Sequence, residues 1–426
     1  MAQFLPFRGL RYNAQIDLSS AICPPYDVIK GGARDELIAR SPQNIVAIEL
    51  AARYGEQATP EQYQKCAELL REWTQNGTLA RDDSAYYIYE QEFALPSGEI
   101  RKRRGIMGAL TLEEFGTGVQ PHEHTMSGPK ADRLNLLRAL RTNTSPIFGL
   151  VADDDGWIDG LIKNVIVTGP KAQATDAEGI IHRLWVLCDD ETVNGFEAAF
   201  ENESILIADG HHRYETALNY FRETGDDNGG DSAVMMLCVS MQDEGLVVLP
   251  THRVAKNVSD AEIAALPAKL AEFFEIDPFA GDPFAGDPNA LLEKLNGIDA
   301  AQNALGMHLR GQSYLLTRKA NSAQPDASKS AAYNALDVAV LGGLILEKCL
   351  GIDAAKVAAG GHIAYTIDAL EAVRQVETGE GAAAFLLRET PVTQVQKVAD
   401  AGDKMPQKST YFYPKLATGM VLRPLD

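Results

Sequence analysis

Asp209, Gly210, His211, His212 and Arg213 stand in an unbroken row within SILIADGHHRYETALNYF, in a chain that has only eight histidines. Ile205, Leu206 and Ile207 before the row read as a buried strand. Tyr214, Ala217, Leu218 and Phe221 after it recur at helical spacing, so a helix is expected to begin near His211. Gly210 lets the backbone turn sharply and come close to a ligand. A helix start exposes N–H groups and about half a positive charge, which suits an anion. His211, His212 and Arg213 add side-chain donors there, and an arginine grips a phosphate bidentately. Asp209 has three readings: helix cap, metal ligand, or a group that orients a hydroxyl. Successive helical side chains diverge by about 100°, so one of the two histidines is expected to be structural. The plainer alternative is a capping aspartate followed by solvated histidines.

A second dense stretch is VQPHEHTMSGPK, where Pro121 gives a rigid entry and His122, Glu123 and Thr125 stand close together. A carboxylate beside histidines suits a general base or a metal ligand. It equally suits a helix-start carboxylate with solvated neighbours. Other chemistries are excluded by spacing. HEHTM lacks the second histidine of HExxH, and no histidine is directly followed by aspartate. GDKMPQKST approaches a P-loop, but Gln407 replaces the second glycine and YFYPK follows where a helix should open. Lys408, Ser409, Thr410 and Lys415 of that end segment are polar and basic; they are read as surface residues, with folding back on a phosphate site as the alternative. GEGAAAF precedes an apolar run instead of following a strand, which disfavours a dinucleotide site. The five cysteines are scattered without a CxxC pair, as in a reducing compartment.

These residues need a scaffold, and the composition allows one. The chain has 426 residues, 45% of them apolar and 23% charged, enough for two or three folded domains. The formal charge of −20 disfavours nucleic acid and anionic membranes as partners. MAQFLPFRGLRYN has no signal-like apolar core, and no run reaches the roughly 18 apolar residues of a membrane span. A cytoplasmic protein is expected.

TPEQYQKCAELLREWTQNG reads as a helix, AYYIYEQEF and RRGIMGALTLEEF as a hairpin across a glycine turn, and NIVAIEL as a short strand. Leu134, Leu137 and Leu140 mark a helix after the second dense stretch, where Lys130 and Arg133 read as helix-surface charges, with membership of the phosphate site as the alternative. PIFGLV, IIHRLWVLCD and AVMMLCVSM read as strands and DETVNGFEAAFEN as a helix. The duplicated DPFAGDPFAGDP reads as a surface loop. The remainder alternates strand and helix. A boundary is expected near residue 255, giving a domain at 1–255 and a C-terminal α/β domain at 256–426.

CPPYDVI, GVQPHEHT, KADRLNLL, IADGHHRYETAL, LPTHR and MPQKSTYFYPK, in that order, resemble the bacterial Domain of Unknown Function family 1015 over nearly the whole chain. Within it, PHEHT, DRLNLLRAL, SPIFGLV and LIADGHHRYETAL are similar in order to the core of archaeal free serine kinases. That resemblance implies a mixed α/β (α+β) fold with a ParB/sulfiredoxin-like core, here carrying a long insertion between His122 and Asp209. It implies a small-molecule kinase that phosphorylates free L-serine to O-phosphoserine. Glu123 would be the base, with His122, Asp209 and His212 completing the catalytic set. Gly210, His211, His212, Arg213 and Thr125 would bind the donor, and Asp209 would hold Mg²⁺. The donor is left open between ATP, ADP and pyrophosphate, and so is assembly as a homodimer. Sulfiredoxins carry a cysteine where this chain has His211, which excludes their sulfur chemistry. No basic recognition helix like that of DNA-binding ParB proteins is evident. A nucleotide-binding regulator without turnover and a phosphohydrolase are the alternatives.

Overall fold

The computed structural model describes residues 2–95, 97–116, 118–123, 128–225, 229–279 and 289–426. The fold is mixed α/β, and it resolves into two compact units. The first comprises Met1–Pro121, Thr125–Val247 and Pro414–Asp426, and the second comprises His122–His124 and Val248–Tyr413.

The first unit is built on one large mixed sheet. Its strands run in the order Val119–Pro121, Ile205–Asp209, Ile147–Val151, Ala233–Ser240, Ile100–Thr111, Tyr86–Ala94, Ile181–Leu187 and Ala172–Thr175, with Phe4–Leu5 added against Ile100–Thr111. Val119–Pro121 lies parallel to Ile205–Asp209, and Ile147–Val151 parallel to Ala233–Ser240. The expected hairpin is present, with Tyr87 opposite Met107. Helices Trp157–Ile166, Asp190–Phe200 and His211–Thr224 supply Ile158, Ile162, Phe196, Phe200, Tyr214 and Leu218 to a core with Phe4, Tyr86 and Ile106 of the sheet.

A second core lies around helix Pro60–Gln75, which starts as its sequence asks. Thr59 and Gln62 form a reciprocal capping box, and Pro60 occupies the first turn, where its missing N–H costs nothing. Tyr63, Cys66, Leu70 and Trp73 of this helix pack with Leu136 and Leu140 of helix Gly128–Leu140 and with Leu422 from the far end of the chain. NIVAIEL, expected as a strand, contains the short helix Val46–Glu49 instead. The buried Asn44 decides this. Its amide donates to the carbonyls of Ser20 (2.8 Å) and Ile22 (2.9 Å), while its side-chain oxygen accepts from the Val46 N–H (3.0 Å). That local turn outcompetes a ladder.

The second unit is an antiparallel sheet in the order Phe274–Phe279, Gln312–Arg318, Ala304–Leu309, Ala383–Leu386, His252–Ala255 and Ile363–Thr366. Its strands alternate faces as the pleat requires. Ala255, Ala383 and Phe385 pack with helix Asp260–Leu270 and the π-helix Leu341–Cys349, whereas Val254, Ala384 and Leu386 pack with helix Ala369–Glu377 and Leu291. Of the duplicated stretch expected as a loop, Asp277–Phe279 belong to a strand, and residues 280–288 lie outside the described residues.

Candidate functional site

The row Asp209–Arg213 lies where the sequence places it, at a strand-to-helix turn. Strand Ile205–Asp209 pairs in parallel with Val119–Pro121, Ile207 opposite Pro121, so the strands preceding both dense stretches run side by side in one direction. Against Ile147–Val151 the register shifts between Ile207 and Asp209. Such an irregularity re-aims the side chain that follows it. Gly210 then takes φ 93°, ψ 24° at the head of helix His211–Thr224, and its carbonyl accepts the N–H groups of Arg213 (2.9 Å) and Tyr214 (3.0 Å). A Cβ at residue 210 would come within 2.9 Å of the Arg213 guanidinium. Gly210 is itself the N-cap, without a side-chain bond to the helix, so Asp209 is not the cap.

What Asp209 does is gather cations. Its Oδ1 accepts from Lys415 Nζ at 3.0 Å, and its Oδ2 from Arg213 Nη2 at 3.1 Å. Burial pushes its carboxyl up, but Lys415, Arg213 and His211 together outweigh burial and hold it well below the usual carboxylate range. Arg213 Nη1 also donates to the Pro146 carbonyl. Arg213 is therefore tethered at both ends of its fork, and a bidentate grip on phosphate, as its sequence position suggests, would require it to leave those partners. His211 is buried and His212 half-buried, so His211 is the more structural of the pair.

Three residues at or near this turn were weighed lightly or passed over in the sequence. Lys415, read as a surface lysine, returns to Asp209 from the far end of the chain. Arg133, read as a helix-surface charge, is buried. Its Nη1 donates to Glu49 Oε1 at 3.2 Å, and its guanidinium lies 4.5 Å from the centroid of the Tyr26 ring. Burial pushes the Tyr26 hydroxyl up to about 12, against the pull of Arg213 and Arg133. Tyr26 stands in CPPYDVI, a motif noted for family likeness alone. Lys130 is half-buried and pairs with Glu215 of helix His211–Thr224.

The backbone around Lys415 is held from below by buried polar side chains. Arg103 Nη2 donates to the Pro414 carbonyl (2.5 Å), Gln91 Nε2 to the Lys415 carbonyl (2.9 Å), and the Ala417 N–H to the Tyr89 hydroxyl (3.3 Å). Tyr89 Oη lies 2.6 Å from His182 Nδ1, and His182 Nε2 lies 3.1 Å from Asp176 Oδ2. Buried groups this well partnered fix one arrangement. The only local trace of the network is a run, Tyr89–Gln91, that is polar yet buried in mid-strand.

His122 and Glu123 belong to the second unit. There His122 is buried, with Nε2 3.0 Å from Thr410 Oγ1, and its carbonyl accepts the Met405 N–H at 2.7 Å. Glu123 and Met405 form a parallel β-bridge. Ser409 is buried as well, and its hydroxyl donates to the Pro406 carbonyl, so the end segment is less of a surface than its composition suggests. Thr125 lies outside the described residues.

Asp209 does not fit a Mg²⁺ ligand as it stands. Both of its oxygens already accept from cations, so a metal there would sit beside two positive charges and be repelled by them. Among the described residues no three of His, Cys, Asp and Glu form a metal-binding group.

Fold and turn together define a mixed α/β protein with a cation-lined strand-to-helix junction. The chain belongs to the family described as Protein of unknown function (DUF1015), whose model matches residues 4–339. No curated protein matches it. Among solved structures it is similar to a free serine kinase variant in complex with AMP, at 13% identity and TM-score 0.35, over 73% of this chain and 94% of that one. A free serine kinase variant in complex with ADP gives 12% identity, TM-score 0.35 and coverage of 73% and 95%. A conserved hypothetical protein from Pyrococcus furiosus gives 14%, 0.34, 72% and 94%. Likeness this slight says nothing of this chain's activity. No helix among the described residues is long and apolar enough to cross a membrane.

Proposed function

We propose that this protein is a phosphotransferase acting on the hydroxyl of a small free substrate, with L-serine as acceptor and O-phosphoserine as product. The observation that supports it is the Asp209–Arg213 turn. A left-handed glycine heads a helix beside Lys415, Arg213, His211 and His212, in a protein whose formal charge is −20. Positive charge concentrated at a helix start against such a background suits the phosphates of a donor: ATP, ADP or pyrophosphate. Asp209 keeps Lys415 and Arg213 in place, and the donor's oxyanions draw on their charge while Arg213 holds its bonds to Asp209 and the Pro146 carbonyl.

The acceptor oxygen attacks the terminal phosphorus in line. A new O–P bond forms, the bridging P–O bond breaks, and the hydroxyl proton passes to a carboxylate. Glu123 is assigned that base on its Pro-His-Glu motif alone. Catalysis of this kind is positioning and charge stabilisation, with little covalent work for the protein. No step here depends on a metal at Asp209.

Donor consumption, measured with and without serine, tests the proposal. Serine-dependent loss of donor with formation of O-phosphoserine is expected, and Glu123→Gln should lower turnover by ~10²–10⁴-fold while leaving donor binding nearly intact. Serine-independent loss would make the protein a phosphohydrolase, and binding without loss a nucleotide-binding regulator. Either result overturns the kinase reading.

A further inference from the structure

Two motifs of the sequence, LPTHR and MPQKST, take no part in the Asp209 turn, and in the second unit they meet at Arg253. Arg253 is 4% exposed. Its Nη1 donates to the Thr251 carbonyl at 2.8 Å, and its Nη2 to the carbonyls of Gln407 (3.2 Å) and Lys408 (3.1 Å). Its guanidinium carbon lies 5.5 Å from the centroid of the Tyr365 ring. Among the described residues no carboxylate pairs with it. Burial lowers its pKa to about 10, and Tyr365 is the one group that raises it. A buried cation held only by carbonyl dipoles and a ring lacks a countercharge, which is costly in a low-dielectric interior.

Arg253 also lines a cavity of about 740 Å³, within the size range of small-molecule sites. Tyr333, Gly342, Leu346, Val357 and Tyr365 are among the other residues of its wall. Gly342 lies in the π-helix Leu341–Cys349, a backbone form enriched at functional sites. A Cβ added at Gly342 would meet nothing within 4 Å, so that stretch of helix presents open backbone to the cavity. Asp326, Glu347 and Asp353 also line the cavity; Asp326 is half-buried with its Oδ1 accepting from the Ser328 N–H and hydroxyl, and Glu347 and Asp353 are exposed. Water screens them, whereas the buried guanidinium acts at a lower dielectric.

We infer that this cavity binds a small organic anion with an apolar or aromatic body. Its acidic group is the countercharge of Arg253, and its body lies against Tyr333, Leu346, Val357 and Tyr365. The inference is independent of the phosphotransferase reading.

Two fluorescent probes of matched shape test it on the full chain: anionic anilinonaphthalene sulfonate and neutral phenylnaphthylamine. Saturable binding of both is expected, the sulfonate tighter by roughly tenfold or more, as one hydrogen bond to a charged group implies. Arg253→Met should erase that preference. Gly342→Phe, whose Cβ meets nothing within 4 Å, should abolish binding of both probes with the unfolding temperature preserved. Equal affinity of the unmodified protein for the two probes overturns the inference. So does unchanged binding in a folded Gly342→Phe protein.

Discussion

Gly210 links chain geometry to chemistry at the scale of one residue. Its left-handed φ and the close approach of the Arg213 guanidinium both forbid a side chain. Gly210→Ala should cost roughly 1–2 kcal/mol for the backbone alone, read as a lower urea midpoint, and should weaken donor binding by displacing Arg213. His252 supplies a pH prediction. Its Nδ1 accepts the Leu387 N–H at 3.1 Å, and burial, then Arg253, lowers its pKa to about 4. An unfolded histidine takes up its proton below about 6.5. Between those values the unfolded chain binds more protons, so stability should fall as pH drops from about 6.5 to about 4. His252→Asn, which keeps an acceptor near that N–H, should flatten the fall in denaturation curves taken across this window. Residue types at the Asp209 turn were legible in sequence because strand, glycine and helix are contiguous there. Tyr26 was not, and Lys415 and Arg133 entered only as the less favoured alternative, because tertiary packing of this kind leaves no local period.

Elements with their own start and stop signals were the most legible. Helix Pro60–Gln75 carries its capping box in TPEQ, and Thr59→Ala should cost about 1 kcal/mol in chemical denaturation. The hairpin Tyr86–Ala94 and Ile100–Thr111 and the helix from His211 likewise follow from period and turn chemistry. NIVAIEL misled because a short apolar run has no period to separate strand from helix, and the deciding bonds run from Asn44 back to Ser20 and Ile22. The strand order of the large sheet was not legible at all. Val119–Pro121 and Ile205–Asp209 are neighbours although residues 122–204 lie between them.

At the scale of the molecule, the chain leaves the first unit for the second and comes back with residues 414–426. Leu422 is fully buried among Leu10, Trp73 and Leu140. Leu422→Ala should therefore cost roughly 2–5 kcal/mol and destabilise the core around helix Pro60–Gln75, measured by hydrogen exchange there. The same return delivers Lys415 to Asp209, so the end of the chain completes a site that its middle begins. Isothermal titration of ADP and of pyrophosphate into the intact chain and into Lys415→Met probes this most directly. Saturable binding is expected in the first, and binding weaker by roughly tenfold or more in the second, titrated well below an unfolding temperature that the loss of a partner for Asp209 should lower. No binding of either ligand to the intact chain, or equal affinity in Lys415→Met, would contradict the cation-lined turn as a phosphate cradle.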